Sequence, residues 1–287
     1  MPHAVITGST GGIGGEITTL LAERGFSLTL LNRAPQKAAA QQEALKAGHG
    51  GLTVRTVTTD LMDLDSISAA AADLAADGTP IDVLYQISGV LTSEKKLSKQ
   101  GFESHYAVNV LAPYALTKAL LPLLKRDKDA APSMIVTMSS SIVSSAKALD
   151  IEALPNPAKI GGLFGAYAAS KTALTTMGAA LAESLRADGV MIRSIDPGAT
   201  RTPMTKSGDG MPTLVRWLSP ILFAKADKQA LKVVNAADPT AFAGRSGNFV
   251  SNGKEKALPK PAKDKAVQKA LIARLEADLT AHATAPA

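Results

Sequence analysis

The sequence predicts an α/β fold, with one parallel sheet covered by helices on both faces in a single domain over residues 1–287. Three observations carry this reading. Short apolar runs alternate with longer helical segments, which is the pattern of βαβ units joined by right-handed crossovers. The first run, Ala4-Val5-Ile6, ends in a glycine-rich turn that opens a helix. The unusual residues cluster where strands end, the edge at which such sheets bind ligands.

The turn, Thr7-Gly8-Ser9-Thr10-Gly11-Gly12-Ile13-Gly14, runs into helical spacing at Ile13, Ile17, Leu20 and Leu21. Strand, glycine turn and helix start together seat a pyrophosphate, because the first N–H groups of a helix lack partners and its dipole favours anions. Gly8 suits the tight turn, Gly12 the approach of backbone to phosphate, and Gly14 the packing of helix on strand. A second strand, Ser27 to Leu31, ends in Asn32-Arg33, and an Ala/Gln/Lys-rich helix over Pro35 to Ala47 stops at Gly48. A third strand, Leu52 to Val57, leads to Asp60-Leu61. An acidic helix over Leu64 to Ala76 follows, closed by Gly78. Ile81 to Ile87 is a fourth strand ending in Ser88-Gly89, and a long helix over Gly101 to Lys125 carries Asn109, with Pro113 a candidate kink. Ser133 to Met138 is a fifth strand before Ser139-Ser140-Ser141, and residues 142–164 read as an irregular connection. A helix over Gly165 to Arg186 and a sixth strand, Val190 to Ile195, precede Asp196-Pro197-Gly198. Residues 204–226 are an apolar excursion holding the only tryptophan, Trp217. A short strand near Asn248 to Val250 and a helix over Lys263 to Leu279, with a stripe at Val267, Leu271, Leu275 and Leu279, end the chain.

Composition narrows the chemistry. With no cysteine there is no disulfide, thiol nucleophile or thiolate zinc site, and the four histidines lack ligand spacing, so no metal is expected. The N-terminus enters a strand without a signal peptide, and no run of apolar residues reaches membrane-spanning length, so a cytoplasmic protein is expected. The net charge of +6 could suit nucleic acid, but residues 252–287, a basic tail and helix, hold seven Lys/Arg against four Asp/Glu, about half of the excess. That is the pattern of a solvated surface rather than a nucleic-acid site.

Tyr167 and Lys171 stand four residues apart on one face of a helix. A free phenol titrates near pH ~10, too high for a base at neutrality, and a neighbouring ammonium favours the phenolate. A tuned phenol can give a proton to a carbonyl oxygen or take one from an alcohol, and Ser140 could hydrogen-bond the same oxygen. Alone, a Tyr and Lys at this spacing mark only a helix face. With the glycine turn and Ser140 they point to chemistry.

With these residues in place, the chain resembles the short-chain dehydrogenase/reductase family over essentially its full length. Thr7 to Gly14 fits the family's TGxxxGIG turn, and Asp60, followed by Leu61, fits the aspartate that contacts adenine. Asn109, Ser140, Tyr167 and Lys171 fit its catalytic tetrad, and Pro197-Gly198 with Thr200 and Thr202 fits the segment that holds the nicotinamide carboxamide. The resemblance implies a Rossmann-type sheet of about seven parallel strands and hydride transfer from a nicotinamide. Tyr167 would be the acid/base and Ser140 would orient the carbonyl. Lys171 would lower the tyrosine pKa and hold the ribose, while Asn109 would support a water relay. Gln86-Ile87-Ser88-Gly89 departs from the family's Asn-Asn-Ala-Gly, and Asp196 replaces a usual asparagine or histidine. The 27 positions between Ser140 and Tyr167, with the C-terminal Gly247-Asn-Phe-Val and basic helix, look most like the retinol-dehydrogenase and protochlorophyllide-reductase branch.

Three further expectations follow. NADP(H) is expected over NAD(H), because Asn32 stands where an acid would accept from a ribose hydroxyl, and the Arg33 guanidinium suits a 2′-phosphate, shared with Ser9 and Thr10. Residues 204–226, with Trp217 and Leu218, are expected to form a lid over an apolar small-molecule substrate. Relatives commonly pair through the helices bearing Asn109 and Tyr167, and an insertion like 142–164 blocks this in some carbonyl reductases, so homodimer and monomer both stay open. The contrasting reading is a non-catalytic NADP-binding sensor or scaffold, and retention of Tyr167 and Lys171 tells against it.

Overall fold

The computed structural model describes residues 1–200 and 223–283. Eight strands form one sheet: β1 (His3–Thr7), β2 (Ser27–Asn32), β3 (Val54–Thr58), β4 (Val83–Gln86), β5 (Ser133–Met138), β6 (Val190–Asp196), β7 (Asn248–Ser251) and β8 (Lys254–Lys256). Their order is β3-β2-β1-β4-β5-β6-β7-β8. The first seven are parallel and only β8 runs against its neighbour. The strand order reverses beside β1, between its pairings with β2 and β4, and such a reversal opens the crevice where ligands bind. The expected count of about seven is thus exceeded by one. Asn252 and Gly253 both adopt positive φ, at 51° and 76°, and turn the chain back into a hairpin whose return strand is β8.

Helices cover both faces. One face carries α1 (Gly12–Glu23), α2 (Pro35–Gly48) and α6 (Ala226–Ala236). On it Ile6, Leu30, Tyr85 and Val136 pack with Ile17, Leu21 and Val233, all at most 1% exposed. The other carries α3 (Leu64–Asp77), the long α4 (Ser104–Leu124), α5 (Ala166–Ala187) and α8 (Lys265–Ala283), the last preceded by the short α7 (Lys260–Lys263). There Val5, Leu84, Ile135 and Ile192 meet Ile67, Leu116, Ala173 and Leu275. Neighbouring strand residues go to opposite faces, as the pleat requires. The α4 helix is long and apolar enough to cross a membrane, but most of it is buried in this core.

Two departures from regular structure bear on the site. In α4, Ala107–Leu111 forms a widened π turn just ahead of Pro113, with Ala112 N–H bonded to Ala107 O. The connection before α5 is short 3₁₀ turns, Ser141–Ser145 and Gly162–Phe164, pinned by Leu154 and Ile160 in the core. At its end a Cβ on Gly165 would lie 1.9 Å from Ile160 O, so only glycine allows α5 to start there. Along α8, Leu271 and Leu275 join the core, Tyr106 donates to Asp278 at 2.6 Å and Tyr114 to Glu276 at 2.5 Å. This helix therefore covers part of the α4–α5 face through which relatives were expected to pair.

Candidate active site

A cavity of about 570 Å³ opens past the carboxyl ends of the strands. Its floor is the glycine turn. Gly8 has φ of 74° and Gly12 of 54°, and a Cβ on Gly14 would stand 2.1 Å from Gly8 O, so helix and turn touch backbone to backbone. Gly11 caps the start of α1 and offers no side chain to its first N–H groups, which leaves them for an anion. A dinucleotide phosphate fits this cradle. Thr10, Gly11, Gly12, Ile13 and Gly14 all line it.

At one end of the cavity are Asn32, Arg33, Asp60 and Leu61. Asn32 is buried and its Nδ2 donates to Ser9 Oγ at 2.7 Å. Ser9 Oγ donates in turn to Gln41 Oε1 at 2.7 Å, and Gln41 Nε2 bonds Ser9 O at 2.6 Å. Ser9 is 0% exposed and absent from the cavity wall, so its side chain ties the turn to α2 and does not reach a phosphate as expected. Arg33 is exposed on the wall, joined by Lys37 one turn into α2. Sequence reading missed Lys37, although its i+4 spacing from Arg33 was visible. Asp60 accepts from Met62 N–H at 2.9 Å, which braces the loop after β3.

The other end brings Ser140, Tyr167, Lys171, Pro197, Gly198 and Thr200 to one wall, with Ser88 and Gly89 opposite the turn. Ser140 caps the 3₁₀ turn after β5, and its hydroxyl stands near enough to Tyr167 to favour the phenolate. Lys171 is 3% exposed and donates to Met138 O at 2.7 Å. Burial pushes the Tyr167 phenol up to about 12; the Asp196 charge adds to this and the Ser140 hydroxyl opposes it. Burial also brings the Lys171 ammonium down to about 8, against the pull of Asp196. Lys171 lies beside the Tyr167 ring rather than at its hydroxyl. Its Nζ stands 5.7 Å from the centre of the Tyr167 ring, over the ring and not in a hydrogen bond with the hydroxyl. At neutral pH the phenol keeps its proton and is ready to donate it.

Asn109 is 0% exposed and lies behind the wall. Its Oδ1 accepts from Val90 N–H at 2.8 Å, while Nδ2 reaches Val90 O at 3.1 Å and Ser170 Oγ at 3.0 Å. It clamps the β4–α4 loop to α5, so its side chain is not open to the cavity as a relay would be. Other bonds hold the end of β4. Thr7 Oγ1 accepts from Ile87 and Ser88 N–H, and Gln86 Nε2 bonds Pro113 O at 2.8 Å. Thr202, Trp217, Leu218 and most of the lid lie outside the described residues. Among the described residues no cluster could hold a metal.

Comparison with known proteins agrees with this geometry. The family model described as "Enoyl-(Acyl carrier protein) reductase" matches residues 8–237. Polyprenol dehydrogenase of Mus musculus is 28% identical over 276 residues, covering 94% of this chain and 81% of the relative. Retinol dehydrogenase 11 of Mus musculus is 31% identical over 220 residues, covering 77% of this chain and 67% of the relative. Among solved structures, an uncharacterised Mycobacterium paratuberculosis protein aligns with a TM-score of 0.74 at 24% identity, over 97% of this chain and 93% of the other. An NADPH-bound carbonyl reductase from chicken fatty liver aligns at 0.67 and 22%, over 90% and 99%; both show the fold. The glycine turn, the Tyr167–Lys171 face and these matches agree: the chain belongs to the short-chain dehydrogenase/reductase family, in its retinol-dehydrogenase-like branch.

Proposed function

We propose that this oxidoreductase is NADPH-linked and interconverts a carbonyl and an alcohol on an apolar small molecule. The observation that carries the reading is the meeting of Ser140, Tyr167 and Lys171 on the wall of a cavity whose floor is the glycine turn. A bound nicotinamide dinucleotide supplies the hydride chemistry. Tyr167 Oη–H donates a proton to the carbonyl oxygen in reduction and takes it back in oxidation. Ser140 Oγ, on the same wall, orients the same oxygen. Lys171 holds its ammonium at the cavity through Met138 O, and Asn109 supports the wall by fixing Val90.

The preference for NADPH is supported by two exposed cations, Arg33 and Lys37, on the wall next to the neutral Asn32. An apolar substrate is supported by the run Leu214 to Phe223 in the sequence and by relatives named for polyprenol and retinol. The test follows consumption of NADPH and of NADH with a panel of long-chain and small carbonyls, for the unmodified protein and for Arg33→Ala/Lys37→Ala. We expect turnover of apolar carbonyls with NADPH, and a loss of one to two orders of magnitude in NADPH affinity, on the order of 1.5–3 kcal/mol in all, with NADH little changed. Asn32→Asp is a poorer probe, because a carboxylate there would compete for the Ser9 hydroxyl that now bonds Gln41. Equal use of both dinucleotides by the unmodified protein would remove the NADP assignment, and faster turnover of a small charged sugar would remove the apolar one.

A further inference from the structure

Asp196 has no role in the chemistry above, yet it is built into the reactive end of the cavity. It ends β6, is 4% exposed and lines the wall beside Pro197. One carboxylate oxygen accepts from Gly198 N–H at 3.0 Å and the other from Ser251 Oγ–H at 2.7 Å. Acceptance at both oxygens is the bonding pattern of an ionised carboxylate. No described Lys or Arg pairs with it directly.

The groups around it are mostly neutral. From α5 come Tyr167 and Lys171, and from the end of β5 Ser139 and Ser140. The β7–β8 turn brings Ser251 and Asn252, the latter bonded to Lys232 of α6 in an exposed contact at 2.6 Å. Gln229 of α6 lies close enough that a Cβ on Gly198 would come within 3.0 Å of its Nε2. Lys171 is therefore the one buried cation on this wall among the described residues, and its Nζ, bonded to Met138 O, is held one strand over from Asp196, since Met138 pairs with Ile195, the residue before it.

We propose that Asp196 is the counter-charge that cancels Lys171 at the reactive end of the cavity, and thereby sets how the protein chooses between oxidised and reduced dinucleotide. The proposal rests on the dinucleotide reading above. A nicotinamide ring is cationic when oxidised and neutral when reduced. With Lys171 and Asp196 both charged, this end has no net charge and does not repel the oxidised ring. Without Asp196, Lys171 would titrate lower still; at a pH of about 6, where it keeps its proton, the uncompensated ammonium would disfavour the cation and leave the neutral form largely alone. The same change would favour the Tyr167 phenolate, because a nearby negative charge is removed.

The test measures, at a pH of about 6, Kd for NADPH by its fluorescence and for NADP⁺ by displacement, in the unmodified protein, Asp196→Asn and Ser251→Ala. Asparagine can keep both bonds, with Oδ1 accepting from Gly198 N–H and Nδ2 donating to Ser251 Oγ, so only the charge changes. The ratio Kd(NADP⁺)/Kd(NADPH) is expected to rise about tenfold in Asp196→Asn, the size of one unit charge acting across such a site. In the same variant the phenol-controlled limb of the pH–rate profile should move to lower pH. Ser251→Ala keeps the charge and should leave the ratio within about twofold, less than a resolved charge effect. Asp196→Ser serves as a second neutral variant if Asp196→Asn fails to fold, with the same rise expected. An unmoved ratio in the neutral variants, or an equal rise in Ser251→Ala, would overturn the proposal while leaving the proposed function standing. Binding of neither dinucleotide by the unmodified protein would overturn both.

Discussion

Two buried cations, Arg193 in β6 and Lys171 in α5, differ in what they leave unpaired. Arg193, within the strand, is 0% exposed and fully engaged. Its guanidinium donates to Asn248 Oδ1 at 3.0 Å and to the carbonyls of Ala236, Asp238, Ala241 and Arg245, and it packs 5.1 Å from the centre of the Phe242 ring. Burial lowers its pKa to about 10, so it stays charged at neutrality. Lys171 is 3% exposed, has one hydrogen bond, to Met138 O, and lines the cavity. Burial brings it down to about 8. A buried charge whose donors are all met ties segments together. One held by a single carbonyl carries a desolvation cost that the fold does not offset, and function is the reason to keep it.

Arg193→Met should therefore produce the largest effect, and on stability. It would strip the buried carbonyls at the end of α6 of their donor, costing about 3–5 kcal/mol in denaturant unfolding, the range for breaking a buried charged network. A loss below about 1 kcal/mol would mean that water reaches those carbonyls and that the contrast with Lys171 is false. On the cavity side the main effect should fall on turnover instead. Tyr167→Phe keeps the ring, including its edge-to-face contact with His105 at 6.3 Å, but removes the proton donor. Turnover should fall by about a hundredfold or more, while dinucleotide affinity and unfolding midpoint stay close to the unmodified protein. Near-normal turnover would show that another group supplies the proton.

This division tracks what could be read from the chain. The glycine turn and the Tyr167–Lys171 face were legible because each is a local spacing: one needs strand, turn and helix in sequence, the other a single helical turn. The return strand β8 was also legible in principle, since Asn252-Gly253 is a strong hairpin signal, but the basic run after it read as a solvated tail. Long-range partners were not legible. Ser9 looked like a phosphate ligand until Asn32 and Gln41, both distant in sequence, claimed its hydroxyl. Asn109 matched the tetrad by position, yet its amide is spent on Val90 and Ser170. The role of Arg193 could not be seen at all, because four of its five acceptors are backbone carbonyls that no side-chain pattern announces.

The smallest effect is the most specific to the comparison. Lys171→Met fills nearly the same volume without a charge to desolvate, so turnover should collapse while stability holds or rises slightly. The pH dependence gives the sign. In the folded protein Lys171 titrates near 8, below the value of about 10.4 for an unfolded chain. Below pH ~8 both states bind the proton and the full penalty of burying the ammonium is present; between ~8 and ~10.4 only the unfolded chain keeps it. The unmodified protein should therefore gain stability relative to Lys171→Met as pH rises through that window, and the two curves should run parallel below it. The raised phenol of Tyr167 acts above pH ~10, with the opposite slope, and is common to both proteins, so it cancels in the difference. Unfolding midpoints taken at intervals from pH 6 to 10 would check this. A difference curve that is flat would mean that the ammonium is not desolvated in the cavity wall. A fall above pH ~10.4, seen on extending the scan, would mean that Asp196 more than compensates for burial, and the contrast with Arg193 would then lose its basis.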